Sequence, residues 1–349
     1  MLTLHLLPAL HGDALVLEYG TPDDPHRVLI DGGPRSTTTR EAISAVLGDA
    51  EALDLLVITH IDADHITGIL SLLERRELPP QIGDVWFNGW EHLPTDKLGA
   101  KQGERLGELI ARRRLPWNAA FGGKAVMVPD GGPLPEITLP GGLTLTLLSP
   151  TRAALADLRP VWKKEVEKAG LVPGKAAEEA RTAPTDRLGD AALDPAALAS
   201  TPFEDDKSEA NGASIAFLAE YEGRSLLLTG DANDSVLTAG LRQLAKKRGV
   251  PAVKVNALKM PHHGSRYNVS AELFELTECD RFLFSTNGAI YKHPDRVAVA
   301  RTVAGRSPRR LEFNYRTMYT QPWESPRLSR LFRYEMVYAG RPGHLRVEI

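Results

Sequence analysis

Apolar and polar residues alternate over residues 3–7 and 14–19, with His11-Gly12-Asp13 between them. This period of two predicts an opening β-hairpin. A third short strand, 27–30, runs into Asp31-Gly32-Gly33, where paired glycines mark a sharp turn or a close approach. Residues 37–47 carry a helical pattern that Gly48 ends. Residues 53–59 (LDLLVIT) read as a buried strand, and Ile66, Ile69, Leu70 and Leu73 then recur at helical spacing, so a helix begins near Asp64 or His65. Strands are predicted at 85–87 and 141–148, with a charged helix at 98–114 whose apolar positions are Leu106, Leu109 and Ile110. The same alternation returns at 213–221, 225–228, 253–258, 281–285 and 344–349, with a turn at Gly223 and a helix from Asp295. Strands and helices in this order predict a layered α/β fold.

One stretch breaks the pattern. Residues 151–206 are rich in Ala, Glu, Arg, Lys and Pro and poor in aromatics. They read as an inserted segment, helical over 153–168 and mobile over 171–201, within one domain spanning 1–349.

Composition narrows the function. The 349 residues carry 42 Lys+Arg against 45 Asp+Glu, a net charge of −3. No broad basic field for nucleic acid or anionic membranes follows from that balance. A single cysteine, Cys279, excludes a disulfide framework within the chain and argues against a thiolate zinc site. The N-terminus lacks a basic leader and no apolar run reaches membrane-spanning length, so a cytoplasmic protein without a membrane partner is expected.

The candidate chemistry sits at the predicted strand-to-helix turn. His60, Asp62, Asp64 and His65 place four potential ligands within six residues. Helix capping explains one Asp, or two. It does not explain two flanking histidines in H-x-D-x-D-H order. Imidazole and carboxylate together suit zinc, manganese or iron. Later strand ends add Asp231 in Thr-Gly-Asp and His262-His263 in Pro-His-His-Gly-Ser. Lys259, Ser265, Arg266, Lys292 and His293 lie near these in sequence. A solvated strand residue is the plainer reading of Lys259, and a turn histidine before proline weighs equally with a chemical role for His293. His92 reads as a surface residue.

These motifs resemble the metallo-β-lactamase fold superfamily. The signature H-x-[HD]-x-D-H is met by His60, Asp62, Asp64 and His65, the strand-end Asp by Asp231, and the late His by His263 or His262. In detail the chain is most similar to the soluble hydrolase domain of ComEC/Rec2-type competence proteins. It matches their pattern at Gly12-Asp13-Ala14, Asp31-Gly32-Gly33, Asn211 to Ser214, Pro261 to Ser265 and His293-Pro294. The membrane channel of those proteins has no counterpart in this sequence, so DNA uptake is not implied. The resemblance implies a four-layer αββα sandwich with two divalent ions, zinc or manganese. Its ligands would be His60, Asp62, Asp64, His65, Asp231, His263 and Asn211. Asp62 and Asn211 stand where many members have histidine, and the added oxygen favours harder ions.

The implied function is a metal-dependent phosphodiesterase or nuclease whose nucleophile is a metal-bound hydroxide. Asp64, Asp231 and His293 would be catalytic, with Lys259, His262, Ser265, Arg266 and Lys292 binding a phosphodiester, nucleic acid or nucleotide. Hydrolysis of a small ester, thioester or lactam is one alternative. A partner-binding module with a degenerate metal site is the other.

Overall fold

The computed structural model describes residues 1–93, 101–168, 193–305 and 308–349. Two sheets face each other. In the first, the strand order is Leu345–Glu348, Leu2–Leu6, Leu15–Gly20, Pro25–Ile30, Leu55–Val57 and Val85–Trp86. In the second it is Tyr334–Tyr338, Arg309–Phe313, Arg281–Phe284, Ala257–Lys259, Arg224–Leu228, Ala216–Tyr221, Thr144–Ser149 and Glu136–Thr138.

Alternation assigns the layers. Leu4, Leu6, Leu17 and Val28 of the first sheet share one core with Leu145, Leu147 and Phe217 of the second. Val16, Leu29 and Leu56, on the opposite face of the first sheet, pack with Ile43 and Leu47 of the helix Thr37–Leu47 and with Ile66, Ile69 and Leu73 of the helix Ala63–Arg75. The helices Asp234–Arg248 and Arg296–Ala304 bury Leu237, Leu241, Val299 and Val303 against the second sheet. The result is the four-layer αββα arrangement. Among the described residues no helix is long and apolar enough to cross a membrane.

Most predicted strands are found within a residue or two of their expected limits. The helix expected at 98–114 is described over Lys101–Arg112, with Leu106, Leu109 and Ile110 buried as the spacing required. The helix Asp234–Arg248 and the strands Arg309–Phe313 and Tyr334–Tyr338 were not anticipated, because charged residues interrupt their apolar positions.

Within the stretch 151–206, the helix expected over 153–168 is described as Arg152–Lys168. It buries Leu155 and Leu158 in the core beneath the first sheet. Arg159 lies over the Trp90 ring at 4.3 Å and donates to the Leu93 carbonyl. This part is core. Residues 169–192, which hold most of the expected mobile portion, lie outside the described residues. Order is again described from 193, and Asp205 accepts from the backbone N–H groups of Asp234 and Ser235 at the start of the helix Asp234–Arg248.

Parallel pairing positions the chemistry. Pro25–Ile30, Leu55–Val57 and Val85–Trp86 run parallel, with Ile30 opposite Val57. Arg224–Leu228, Ala257–Lys259 and Arg281–Phe284 also run parallel, with Leu228 opposite Lys259 and Lys259 opposite Leu283. The carboxyl ends of both sets deliver Asp31, His60, Asp231, His263 and Ser285 to one edge.

Asp234 shows what burial costs near that edge. Its carboxylate accepts from the Ser270 backbone N–H, but desolvation, helped by Asp205, raises its pKa to about 6 from the usual 3.8. The unfolded chain ionises Asp234 near 3.8, before the folded one does. The resulting penalty on folding grows as pH rises through that window and is complete above 6. Asp234→Asn keeps the acceptor without the charge. It is expected to raise stability by about 1–3 kcal/mol at pH 7 and by far less at pH 4, measured by urea unfolding.

Candidate metal centre

The Asp231 carboxylate is the centre of the site. Its Oδ2 lies 3.4 Å from His65 Nε2, 3.7 Å from both His262 Nε2 and His263 Nε2, and 3.9 Å from His60 Nε2. Asp64 Oδ2 is 4.0 Å from His65 Nε2, and Asp62 Oδ2 is 3.6 Å from His60 Nε2. Three overlapping groups of donor atoms result: His60, His65 and Asp231; Asp64, His65 and His263; and Asp13, Asp231 and His263.

The local backbone aims these side chains. Asp62 stands at the N-cap of the helix Ala63–Arg75, yet its side chain makes no capping bond. Capping therefore does not account for it, and its carboxylate is left to face His60. His262 and His263 follow one another at φ 44° and 55°, and Asp31 sits at 56°. Non-glycine residues in the left-handed region are costly and gather where the surrounding structure forces a particular side-chain direction. The hairpin turn and the ligand turn also touch directly. A Cβ on Gly12 would lie 1.8 Å from the Asp64 carbonyl oxygen, so only glycine fits there.

Hydrogen bonds on the far ring nitrogens fix how each imidazole is presented. His65 Nδ1 meets Asp31 Oδ2 at 2.8 Å, and the same carboxylate accepts from the Thr59 N–H and hydroxyl. His263 Nδ1 donates to the Ser285 carbonyl at 2.7 Å, and His60 Nδ1 meets Thr59 Oγ1 at 2.9 Å. Each arrangement turns Nε2 towards Asp231. This is how metal-binding histidines are oriented in general. The Nε2 atoms of His60, His65 and His263, and Asp231 Oδ1, are buried without a hydrogen-bond partner. Orphaned buried atoms are expensive, and cations held in the overlapping groups of donors would satisfy them. The donor set fits divalent metal.

The buried carboxylates and imidazoles shift one another. Burial pushes Asp231 up, but the imidazoles of His65, His263 and His262 outweigh it and hold its pKa well below the carboxylate range. Burial lowers His65, and Asp231 and Asp31 overcome that and raise it well above its usual value. His262, against burial, is lifted to about 9 by Asp231 and Asp206. His263 goes the other way, to about 3, because burial dominates and Lys259 adds to it.

Several expected residues stand elsewhere than anticipated. His262, expected at the substrate, turns Nε2 into the cluster, and its Nδ1 is held by Asn268 at 3.0 Å with Asp206 at 3.4 Å. Asn211, expected as a ligand, gives its amide nitrogen to Asp206 at 2.6 Å and braces the same histidine. Its Oδ1 remains without a partner. Lys259, expected to touch substrate, is fully buried with Nζ 2.8 Å from Asp13 Oδ2. It ends an apolar strand in the space between sheet and site, where the Asp13 carboxylate offsets the cost of burying an ammonium. Ser265 is also buried, and its hydroxyl accepts from the Tyr267 N–H. Its role is to shape the turn.

Lys292 is exposed and Arg266 half-buried. The His293 ring packs edge-on to His262 at 5.3 Å, with Nδ1 3.6 Å from Asp295 Oδ2. His92 instead packs on Trp117, and burial lowers it to about 4.

Residues 8–150 match the family model of the metallo-beta-lactamase superfamily. The matched stretch carries Asp13, Asp31 and the His60-to-His65 turn. Asp231, His262, His263 and Asn211 lie beyond it, and only folding brings them to it. The matched stretch holds four of the six strands of the first sheet and the strands Glu136–Thr138 and Thr144–Ser149 of the second. Among solved structures, the chain is similar to CmlA, a diiron beta-hydroxylase from Streptomyces venezuelae, at 13% identity and TM-score 0.42, over 100% of this chain and 54% of that one. The chain therefore spans about half the length of that hydroxylase. It is also similar to a diphosphatase of the PhnP family, at 13% identity and TM-score 0.35 over 100% and 98% of the two chains. The metallo-beta-lactamase SMB-1 bound to 2-mercaptoethanesulfonate aligns at 11% identity and TM-score 0.30, over 86% and 93%. No curated protein matches the chain.

Residues that build the site but were passed over in the sequence are Asp13, Asp206, Asn268 and Ser285. Asp13 lay in plain view in the Gly-Asp-Ala turn. Asp206 gave no signal, since it ends a stretch whose composition reads as an insertion.

Proposed function

We propose that the chain is a metal-dependent hydrolase of phosphodiesters. The observation that carries this reading is the convergence of four imidazole Nε2 atoms on one buried carboxylate oxygen of Asp231. His60, Asp62, Asp64, His65, Asp231, His262 and His263 would hold the cations. Divalent ions bound there would supply Lewis acidity and a water of lowered pKa at neutral pH. Asp31 and the Ser285 carbonyl keep His65 and His263 in the tautomers that present Nε2.

The leaning towards a phosphodiester rests on cationic side chains near the site in sequence. Lys292, next to His293 in sequence, is exposed, Arg266 stands over the Tyr267 ring, and both would offer positive charge to an anionic substrate. His293, edge-on to His262 and next to Asp295, would give a proton to the leaving oxygen. The likeness in motif to the soluble hydrolase domain of ComEC/Rec2-type proteins agrees with that choice, as does the presence of oxygen donors suited to manganese beside zinc.

A screen tests the reading. Purified chain reloaded with manganese or zinc is offered a bis-aryl phosphodiester, cyclic nucleotides, single-stranded DNA and RNA. Turnover is expected on at least one diester, lost on chelation and absent in His65→Ala. Turnover of thioester or lactam alone would overturn the phosphodiester assignment.

A further inference from the structure

The third group of donor atoms differs from the other two. Asp13, Asp231 and His263 bring ligand-type atoms within 4.8 Å of one another, but a cation already stands beside them. Lys259 Nζ is 2.8 Å from Asp13 Oδ2, and both side chains are about 1% exposed. That contact is an ion pair; the ammonium donates its hydrogen bond to the Met260 carbonyl at 3.1 Å, and Thr229 Oγ1 donates to the carbonyl of Lys259 itself. Asp13 takes the Ser285 hydroxyl on its other oxygen, which lies 3.7 Å from His263 Nδ1. A chain of short contacts therefore links Lys259 through Asp13 to an imidazole whose opposite nitrogen faces Asp231.

We propose that Lys259 is a built-in cation of the centre. Its ammonium fills the Asp13 corner of the cluster in place of a metal ion. Together the pair sets the charge behind His263, and so the strength with which the other ligands hold their metals. Asp13 and Lys259 are positioning residues in this account, since they act through His263. The inference rests on the reading that the cluster binds divalent cations and is independent of which bond the protein hydrolyses.

Stability alone gives little reason for such a pair. Replacing a buried ion pair by apolar groups of similar volume is often neutral or favourable, whereas removing one partner strands a charge. Here the stranded charge would sit beside the metal ligands, and its sign differs between the two single variants. Lys259→Met leaves the Asp13 carboxylate, which attracts a divalent ion. Asp13→Asn leaves the ammonium, which repels one. A pair that served only to hold the fold would give losses in the same direction from either side.

The experiment uses the full chain, stripped with a chelator and titrated with manganese and with zinc against a chromophoric competitor. Thermal unfolding of each variant is recorded alongside. Asp13→Asn is expected to weaken metal binding about tenfold or more, Lys259→Met to tighten it by a comparable factor, and the double variant to return within about threefold of the unmodified chain. If Lys259→Met fails to fold, Lys259→Gln and the double variant carry the comparison. Equal weakening in both single variants, or tightening in Asp13→Asn, overturns the proposal. An unmodified chain that takes up neither ion overturns the metal reading itself, a different result from ions bound with no opposition of sign.

Discussion

Asp231→Asn is expected to lower hydrolysis by a factor on the order of a thousand or more while the fold persists. The carboxylate oxygen at the centre of the cluster is the one atom that four imidazoles approach, at 3.4 to 3.9 Å. An amide at that position has nearly the same volume but no charge, and it keeps only one of the two oxygens that could hold a cation. The fold survives because little structure depends on the side chain. The backbone N–H of Asp231 donates to Ser214 Oγ, and that bond is retained. Circular dichroism should therefore match the unmodified chain while turnover of a phosphodiester disappears. A variant with unmodified turnover would show that Asp231 is not at the reacting centre.

The second large effect is expected at Asp31, which touches no substrate. It is fully buried and accepts from the Thr59 N–H, the Thr59 hydroxyl and His65 Nδ1. Asp31→Asn supplies only one acceptor oxygen and turns an NH₂ group towards a neighbour that is itself a donor. His65 must then change tautomer or rotate, and either withdraws Nε2 from the cluster. Metal affinity should fall about 10- to 100-fold, the usual consequence of removing an orienting carboxylate. Stability should fall by about 1–3 kcal/mol as buried donors lose their partner. Chelator competition and urea unfolding measure the two effects separately. Loss of stability with metal affinity unchanged would show that Asp31 only braces the turn.

Both residues show how much of the site is legible in the sequence. The His60-to-His65 turn was legible because it is local: strand, ligands and helix occupy consecutive residues, and periodicity marks each. Asp31 was legible as the strand-end acid before paired glycines, for which a plain turn was the stronger reading from sequence alone. Lys259 could not be placed. A lysine ending an apolar strand looks solvated, and only tertiary pairing with Asp13, nearly 250 positions earlier, reveals why it is inside. His262 and His263 are adjacent in sequence and were given different tasks. Left-handed backbone at both residues turns both rings to the same point, and no propensity reports that. Asp206 was hidden by the composition around it. The layered fold was plain from the alternation of strands and helices, whereas the far edge of the second sheet, built from Arg309–Phe313 and Tyr334–Tyr338, was obscured by its charged residues.

The two sheets reach the cluster from opposite halves of the chain. His60 and His65 follow strands of the first sheet, while Asp231, His262 and His263 follow strands of the second. Any ion held by both sets is a cross-link closing a loop of well over a hundred residues. Ligation at this seam therefore favours the assembled sandwich by mass action, by about 2.7 kcal/mol at a free ion concentration one hundred times the dissociation constant. Metal supply then governs persistence as well as chemistry. A cell short of the ion would hold a chain that opens more often along the junction of its sheets and meets proteases there first.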